Sequence, residues 1–231
     1  MKKFNTLLFD ADGTLFDFDA CEHEALIKVF EKYGYPLNEE IKKTYERINK
    51  GLWKQYELGL MDRNTVIYSR FGMLFKEIGI DDDGIAFEDD YQDLLGMQHV
   101  LIPGALELVK QLCDDYDLYI VTNGVTSTQL RRLNESGLDK LMKKIFVSEE
   151  TGYQKPMKEF FDYCFERIDN FDPSSAIIIG DSLSSDIKGG NNAGIATFWY
   201  NPNSLVNNTD SKVDYEIAKL DELIDILKEN N

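Results

Sequence analysis

The chain has 231 residues, and 42 acidic against 25 basic side chains give it a formal charge of −17. That length holds one domain, or one domain with an insert, around a substantial core. An acidic field of this size repels polyanions, so a nucleic-acid polymer or an anionic membrane is not an expected partner, whereas a small phosphate ester fits if a metal and a few basic groups invert the potential locally.

The first element is the run Leu7-Leu8-Phe9, which leads straight into Asp10-Ala11-Asp12-Gly13-Thr14. A short continuous apolar run reads as a strand buried on both faces, as in a parallel sheet. From Asp17 to Gln98 no strand signal follows. Leu26, Val29, Phe30 and Tyr33 recur at helical spacing until Gly34-Tyr35-Pro36 interrupts them. Helical text resumes from Glu39 to Ile78, divided at Gly59 and Asp62-Arg63-Asn64, and a further acidic helix is expected over Gly84 to Leu95. At Pro103-Gly104 the pattern changes to alternation. Strands are expected at Leu118–Val121, Ile145–Val147, Ala176–Ile179 and Ala196–Tyr200. The helices between and after them are marked by Leu106/Val109/Leu112, Leu130/Leu133/Leu138, Phe160/Phe161/Cys164 and Ile187–Ala193, with a closing helix over Leu220–Leu227. Gly137 is placed as a C-cap and Pro156 in a first helical turn. Strands alternating with helices mean right-handed crossovers and an α/β, doubly wound parallel sheet, with an all-helical insert of about four helices after the first strand.

Polar residues collect at the strand ends, where open α/β sheets bind ligands. Asp10 and Asp12 close the first strand, and two carboxylates so near one another repel unless a cation or shared proton intervenes. Magnesium, a hard cation that prefers oxygen ligands, suits them. The second strand delivers Thr122 and Asn123, a hydroxyl and an amide able to donate to a phosphoryl oxygen. Lys155 follows the third strand, and Asp181, with Asp186 five residues on, follows the fourth. Each has an ordinary explanation on its own, as a turn, a surface lysine or a helix cap. Four strand ends carrying a compatible set in order do not.

Asp-x-Asp-Gly-Thr, Thr-Asn-Gly, Lys-Pro and Gly-Asp-Ser-x-x-x-Asp resemble the four motifs of the haloacid dehalogenase superfamily. The resemblance spans the chain and implies a Rossmann-like catalytic core at residues 1–16 and 99–231 with a helical cap at 17–98. It implies Asp10 as the nucleophile and Asp12 as general acid and base. Thr122 and Asn123 would be phosphate ligands, and Lys155 the lysine that offsets charge on nucleophile and phosphate. Asp181 would hold Mg²⁺ with Asp10 and the backbone carbonyl of Asp12. Asp186 would touch the metal directly, through water, or pair with Lys155. The stretches Phe9–Asp19, Thr122–Ser127 and Ser148–Gly152 are similar to the pyrimidine 5′-nucleotidase branch that clears noncanonical nucleotides, and so is Asn49–Leu60 with Trp53 and Tyr56. Gly13 is a departure, since some members of that branch carry glutamate there.

A carboxylate nucleophile splits phosphate-ester hydrolysis through an aspartyl-phosphate, and a second acid must protonate the leaving alkoxide. The expected enzyme is therefore a magnesium-dependent phosphomonoester hydrolase for pyrimidine nucleoside monophosphates. Phosphoglycolate, sugar phosphates or a phosphomutase reaction stay open as alternatives, and so does a phosphoacceptor signalling domain, although a receiver needs neither Asp12 nor a cap. Trp53 and Tyr56 share a helix face, so Trp53 is a candidate for stacking on a base, against the ordinary reading that both rings pack within the cap. Cys21, Cys113 and Cys164 are far apart and odd in number, which argues against a disulfide framework or a zinc site and for buried free thiols. With no signal-peptide core and no stretch of membrane-spanning length, the expected setting is cytoplasmic, as a monomer or weak homo-oligomer.

Overall fold

The structure is a computed structural model that describes residues 3–229. The chain divides into two compact units, Met1–Asp19 with His99–Asn231, and Ala20–Gln98. Among the described residues the first unit is built on six strands, β1 Thr6–Phe9, β2 Asp117–Thr122, β3 Lys144–Val147, β4 Ala176–Gly180, β5 Ala196–Tyr200 and β6 Tyr215–Ile217. They form one parallel sheet in the order β3-β2-β1-β4-β5-β6. The sequence leads one to expect five of these; β6 is three residues long and lies at the edge.

The chain runs outward from β1 through β2 to β3, then returns to the other side of β1 for β4. This is the reversal of strand order at which doubly wound sheets open a crevice beyond the strand ends. Successive residues of a strand face opposite ways. Leu7 and Phe9 join Ile120, Ile177 and Ile179 on one face, while Leu8 joins Val121, Ile178 and Phe161 on the other. Both faces are dry, which is why the central strands read as unbroken apolar runs.

Helices α1 Phe18–Tyr33, α2 Glu39–Glu57, α3 Arg63–Ile78 and α4 Ile85–Gly96 follow β1 in the chain. The second unit is made of them, from Ala20 of α1 onward. Asn38 and Asp62 cap α2 and α3 by accepting from Ile41 N and Thr65 N, and Gly79 ends α3 in the left-handed conformation. The interior is aromatic, with Phe71 and Phe87 ring centroids 4.7 Å apart. Arg70, buried there, donates to both oxygens of Glu88 at 2.8 and 2.6 Å.

The first unit is completed by α5 Ala105–Leu112, α6 Thr126–Ser136, α7 Ser148–Thr151, α8 Lys158–Phe165, α9 Lys188–Ala193 and α10 Glu222–Glu229. One local expectation about the helices is corrected. Pro156 precedes α8 by two residues instead of opening it, because Lys155 must first be delivered to the strand ends. The helix marked by Leu130 and Leu133 is α6, in which Leu130 faces solvent and the buried stripe is Thr128, Gln129, Arg132 and Leu133; Gln129 and Arg132 turn inward to Asp12, just past the end of β1. Cys21 and Cys164 are buried free thiols, while Cys113 is only half-buried and its Sγ donates to the Lys110 carbonyl at 3.4 Å. Among the described residues no helix is long and apolar enough to cross a membrane.

Candidate active site

At the end of β1 the Asp10 amide still donates to the Ile179 carbonyl at 2.9 Å, so this carboxylate leaves the sheet from a fixed backbone. The turn that follows is closed by bonds from Gly13 N to Phe16 O and from Leu15 N to Ala11 O, each 2.9 Å. Gly13 has φ +82°, and a Cβ there would lie 2.7 Å from Oδ2 of Asp181. Any other residue would be strained by that backbone and would have to displace the Asp181 carboxylate.

Three carboxylates meet over the strand ends. One oxygen from each of Asp10, Asp181 and Asp186 lies within 4.8 Å of the others. Lys155, buried, donates from Nζ to Asp10, to Asp186 at 2.7 Å and to the Val121 carbonyl at 2.8 Å. Asp186 also accepts from Ser182 N at 3.1 Å. It packs under Gly180, where a Cβ would clash with it at 2.3 Å. Thr14 donates from Oγ1 to Asp181 at 3.3 Å, and the Trp199 indole donates to the Asp181 carbonyl at 2.9 Å. Phe18, Trp199 and Tyr200 join Asp12, Gly13 and Asp181 around a cavity of about 460 Å³.

Charge does not balance in this cluster. Burial lifts Asp10 well above the ordinary carboxylate range against the pull of Lys155, and Asp186, Asp181 and Asp12 lift it further. Burial and then Asp186 push Asp181 up to about 7. Burial acts to lower the Lys155 ammonium, but Asp10 and Asp186 outweigh it and raise it above the usual lysine value. Three acids facing one fixed cation, all oxygen donors, are a donor set that fits a small divalent cation.

Sequence-predicted residues divide into those that join the cluster and those that serve it. The Asp12 carboxylate does not join the three acids; it turns to α6 and accepts from Arg132 at 2.5 Å and Gln129 at 2.7 Å. For a metal, Asp12 therefore has its backbone carbonyl to offer. Thr122 Oγ1 accepts from Gly124 N at 3.2 Å and Gln129 Nε2 at 2.8 Å, which takes both lone pairs and leaves its proton to donate. The Asn123 side-chain amide, expected to donate to phosphate, is engaged here with the Lys155 backbone. Its Oδ1 accepts from Lys155 N at 2.9 Å and its Nδ2 donates to Lys155 O at 3.0 Å, a clamp that sets the lysine backbone. Trp53 lies in the helical unit, half-buried edge-on to Tyr56 at 5.6 Å, while Tyr56 itself is buried. Gln129 and Arg132, which hold the Asp12 carboxylate, are residues that sequence reasoning passes over. Their only signal is a pair of long polar side chains three apart on one helix face.

A family model for haloacid dehalogenase-like hydrolases matches residues 4–194. The chain belongs to this family. As a haloacid dehalogenase-like hydrolase it is an enzyme, and its relatives cover nearly all of it. YfnB of Bacillus subtilis, named as a HAD-hydrolase, is 49% identical over 100% of this chain and 98% of its own length. The crystal structure of YfnB bound to magnesium superposes with a TM-score of 0.94 at 50% identity, over 98% of this chain and 99% of that one. The pyrimidine 5′-nucleotidase PynA of Streptococcus pneumoniae is 40% identical over 98% of this chain and 96% of its own length. The pyrimidine 5′-nucleotidase YjjG of Escherichia coli is 32% identical over 86% and 87%.

Proposed function

We propose that this hydrolase is a magnesium-dependent phosphatase that hydrolyses pyrimidine nucleoside monophosphates through an aspartyl-phosphate on Asp10. The observation that supports the chemistry most is the buried triangle of Asp10, Lys155 and Asp186 with Asp181 beside it. The substrate rests on the names of PynA and YjjG, which are 40% and 32% identical to this chain. In this reading residues 1–16 and 99–231 are the catalytic core and 17–98 the cap.

Asp10 and Asp181 would hold Mg²⁺ with the Asp12 carbonyl, and Asp186 would reach it directly or through water. The cation would supply the positive charge that the three acids lack and that a dianionic phosphate needs. Lys155 offsets the remaining charge on nucleophile and phosphoryl oxygens, held by the Asn123 clamp and by Asp186. The Thr122 hydroxyl donates its spare proton to a phosphoryl oxygen. Asp10 attacks phosphorus, and Asp12 gives a proton to the leaving nucleoside oxygen. Asp12 then takes a proton from the water that splits the aspartyl-phosphate. Trp53 is the aromatic face proposed for the base. Three free thiols fit work in a reducing compartment, the cytoplasm.

The test is phosphate release, with Mg²⁺ and after metal stripping, from pyrimidine and purine nucleoside monophosphates, phosphoglycolate and sugar phosphates. The reading expects the pyrimidine nucleotides to lead by kcat/KM and activity to vanish without metal. Preference for a sugar phosphate would overturn the substrate, and full turnover in excess chelator would overturn the chemistry.

A further inference from the structure

Arg132 is a buried cation that the reaction outlined above does not use. Its guanidinium lies over the Phe16 ring, 4.3 Å from the centroid. Burying a guanidinium is costly unless it is paired, so its place in the fold answers to its partners. Nη1 donates to Oδ1 of Asp12 at 2.5 Å and to Oε1 of Gln129 at 2.9 Å. Gln129, on the same face of α6, donates from Nε2 to Oδ2 of Asp12 at 2.7 Å and to Thr122 Oγ1 at 2.8 Å. The two oxygens of Asp12 are thus held by two residues. The Gln129 amide has one orientation open to it, because its oxygen faces the guanidinium. The Asp12 side chain keeps 27% of its surface exposed, whereas Arg132 keeps none. Its open side also lines the cavity beside Asp181.

We propose that Arg132 and Gln129 are positioning residues that aim Asp12 for proton transfer, and that Gln129 fixes Asp12 relative to the Thr122 hydroxyl. The inference rests on the reading above, in which Asp12 is the acid and base. In the first half-reaction the Asp10 oxygen bonds to phosphorus as the ester P–O bond breaks with its electron pair, and the proton on Asp12 goes to that oxygen. In the second, water oxygen bonds to phosphorus as the Asp10–P bond breaks, and Asp12 takes back a proton. Both transfers need the Asp12 oxygen within hydrogen-bond reach of the reacting oxygen, and a misplacement of about 1 Å can cost ~10²-fold. Thr122 and Asp12 meet opposite ends of the breaking bond, and one glutamine amide sets the distance between them.

The experiment is steady-state kinetics of the whole protein with Mg²⁺ on two esters, a pyrimidine nucleoside monophosphate and p-nitrophenyl phosphate, whose leaving group needs little protonation. Arg132→Met and Gln129→Leu should lower kcat on the nucleotide by about 10- to 100-fold and on the aryl ester by about threefold or less, a part of the ~10²–10⁴ worth of a positioned acid. Arg132→Lys should recover part of the nucleotide rate, since it keeps the charge. In an Asp12→Asn background, adding Arg132→Met should change the nucleotide rate little, because the residues act as a unit. Gln129→Leu keeps the Arg132–Asp12 pair, so it reports even if Arg132→Met does not fold. Equal losses on both esters in the two variants, or losses that multiply with Asp12→Asn, would overturn the proposal while Asp12→Asn itself still discriminates between the esters. If Asp12→Asn does not discriminate, the acid–base reading fails and the proposal fails with it.

Discussion

Replacing Lys155 by methionine isolates the electrostatics of the site. Methionine has a similar length and no charge, so packing is largely kept while Asp10 and Asp186 lose the cation that bridges them. Removing one partner of a buried ion pair costs about 3–5 kcal/mol. An independent ceiling comes from protonation. At pH 7.5 one carboxylate whose pKa in the unfolded chain is near 3.9 escapes, in the folded one, by taking a proton at a cost of about 4.9 kcal/mol, from 1.36 kcal/mol per pH unit. At pH 5.5 the same route costs only about 2.2 kcal/mol. The two figures agree at neutral pH and separate under mild acid. Each kcal/mol moves the midpoint by about 2–4 °C in a chain of this size, so Lys155→Met in chelator at pH 7.5 should melt roughly 6–20 °C below wild type. At pH 5.5 the difference should be clearly smaller. The lost donor to the Val121 carbonyl adds a part that pH does not touch. Calorimetry of both proteins at both pH values, without metal, is the assay. An equal loss at both pH values, or none at either, would refute the electrostatic account of the site.

Magnesium should stabilise the protein more at high pH than at low. Folded Asp10 and Asp181 have raised pKa values, so the folded state holds protons that the unfolded chain has released and their contribution to stability falls as pH rises, for Asp181 between about 4 and about 7. Mg²⁺ displaces those protons, so the rise in Tm on adding it should be larger at pH 8 than at pH 5.5; equal rises would contradict the assignment. Trp53→Ala should lower kcat/KM on a pyrimidine nucleotide by about tenfold, the worth of ~1.4 kcal/mol of stacking, and on p-nitrophenyl phosphate much less. Trp53 is half-buried and Tyr56 buried, so Tyr56→Ala should lower Tm more; equal kinetic losses on both esters with a large drop in Tm for Trp53→Ala would make that ring structural.

The parts of the fold that sequence reading can reach are those encoded locally. A strand buried on both faces is an apolar run, and its end is marked where the run meets a polar residue, as at Phe9-Asp10, Val121-Thr122 and Gly180-Asp181. That places Asp10, Thr122 and Asp181 at the strand ends without any knowledge of pairing. The edge strand β6 escapes because Tyr215–Ile217 has three residues and a half-exposed face, too little text to separate from loop. The contacts of Asn123, Gln129 and Arg132 escape for another reason. Each depends on a partner 32, 117 or 120 positions away in the chain, and a polar residue on a helix or strand end looks the same whether it faces water, a phosphate or a buried acid. Leu130 shows the converse: a leucine at helical spacing reads as core, but the neighbours that claim the inner face of α6 are polar.

The proposed chemistry turns on a covalent intermediate on Asp10, which an acid quench can trap. Wild type and Asp10→Asn, each with Mg²⁺ and a pyrimidine nucleoside monophosphate, are quenched in acid within the first turnover, digested, and the peptides weighed. One phosphoryl group is expected on the wild-type peptide that carries Asp10, none on the corresponding peptide of the variant, and no turnover by the variant. Turnover by Asp10→Asn at the wild-type rate, or a phosphoryl group on a peptide without residue 10, would contradict that chemistry.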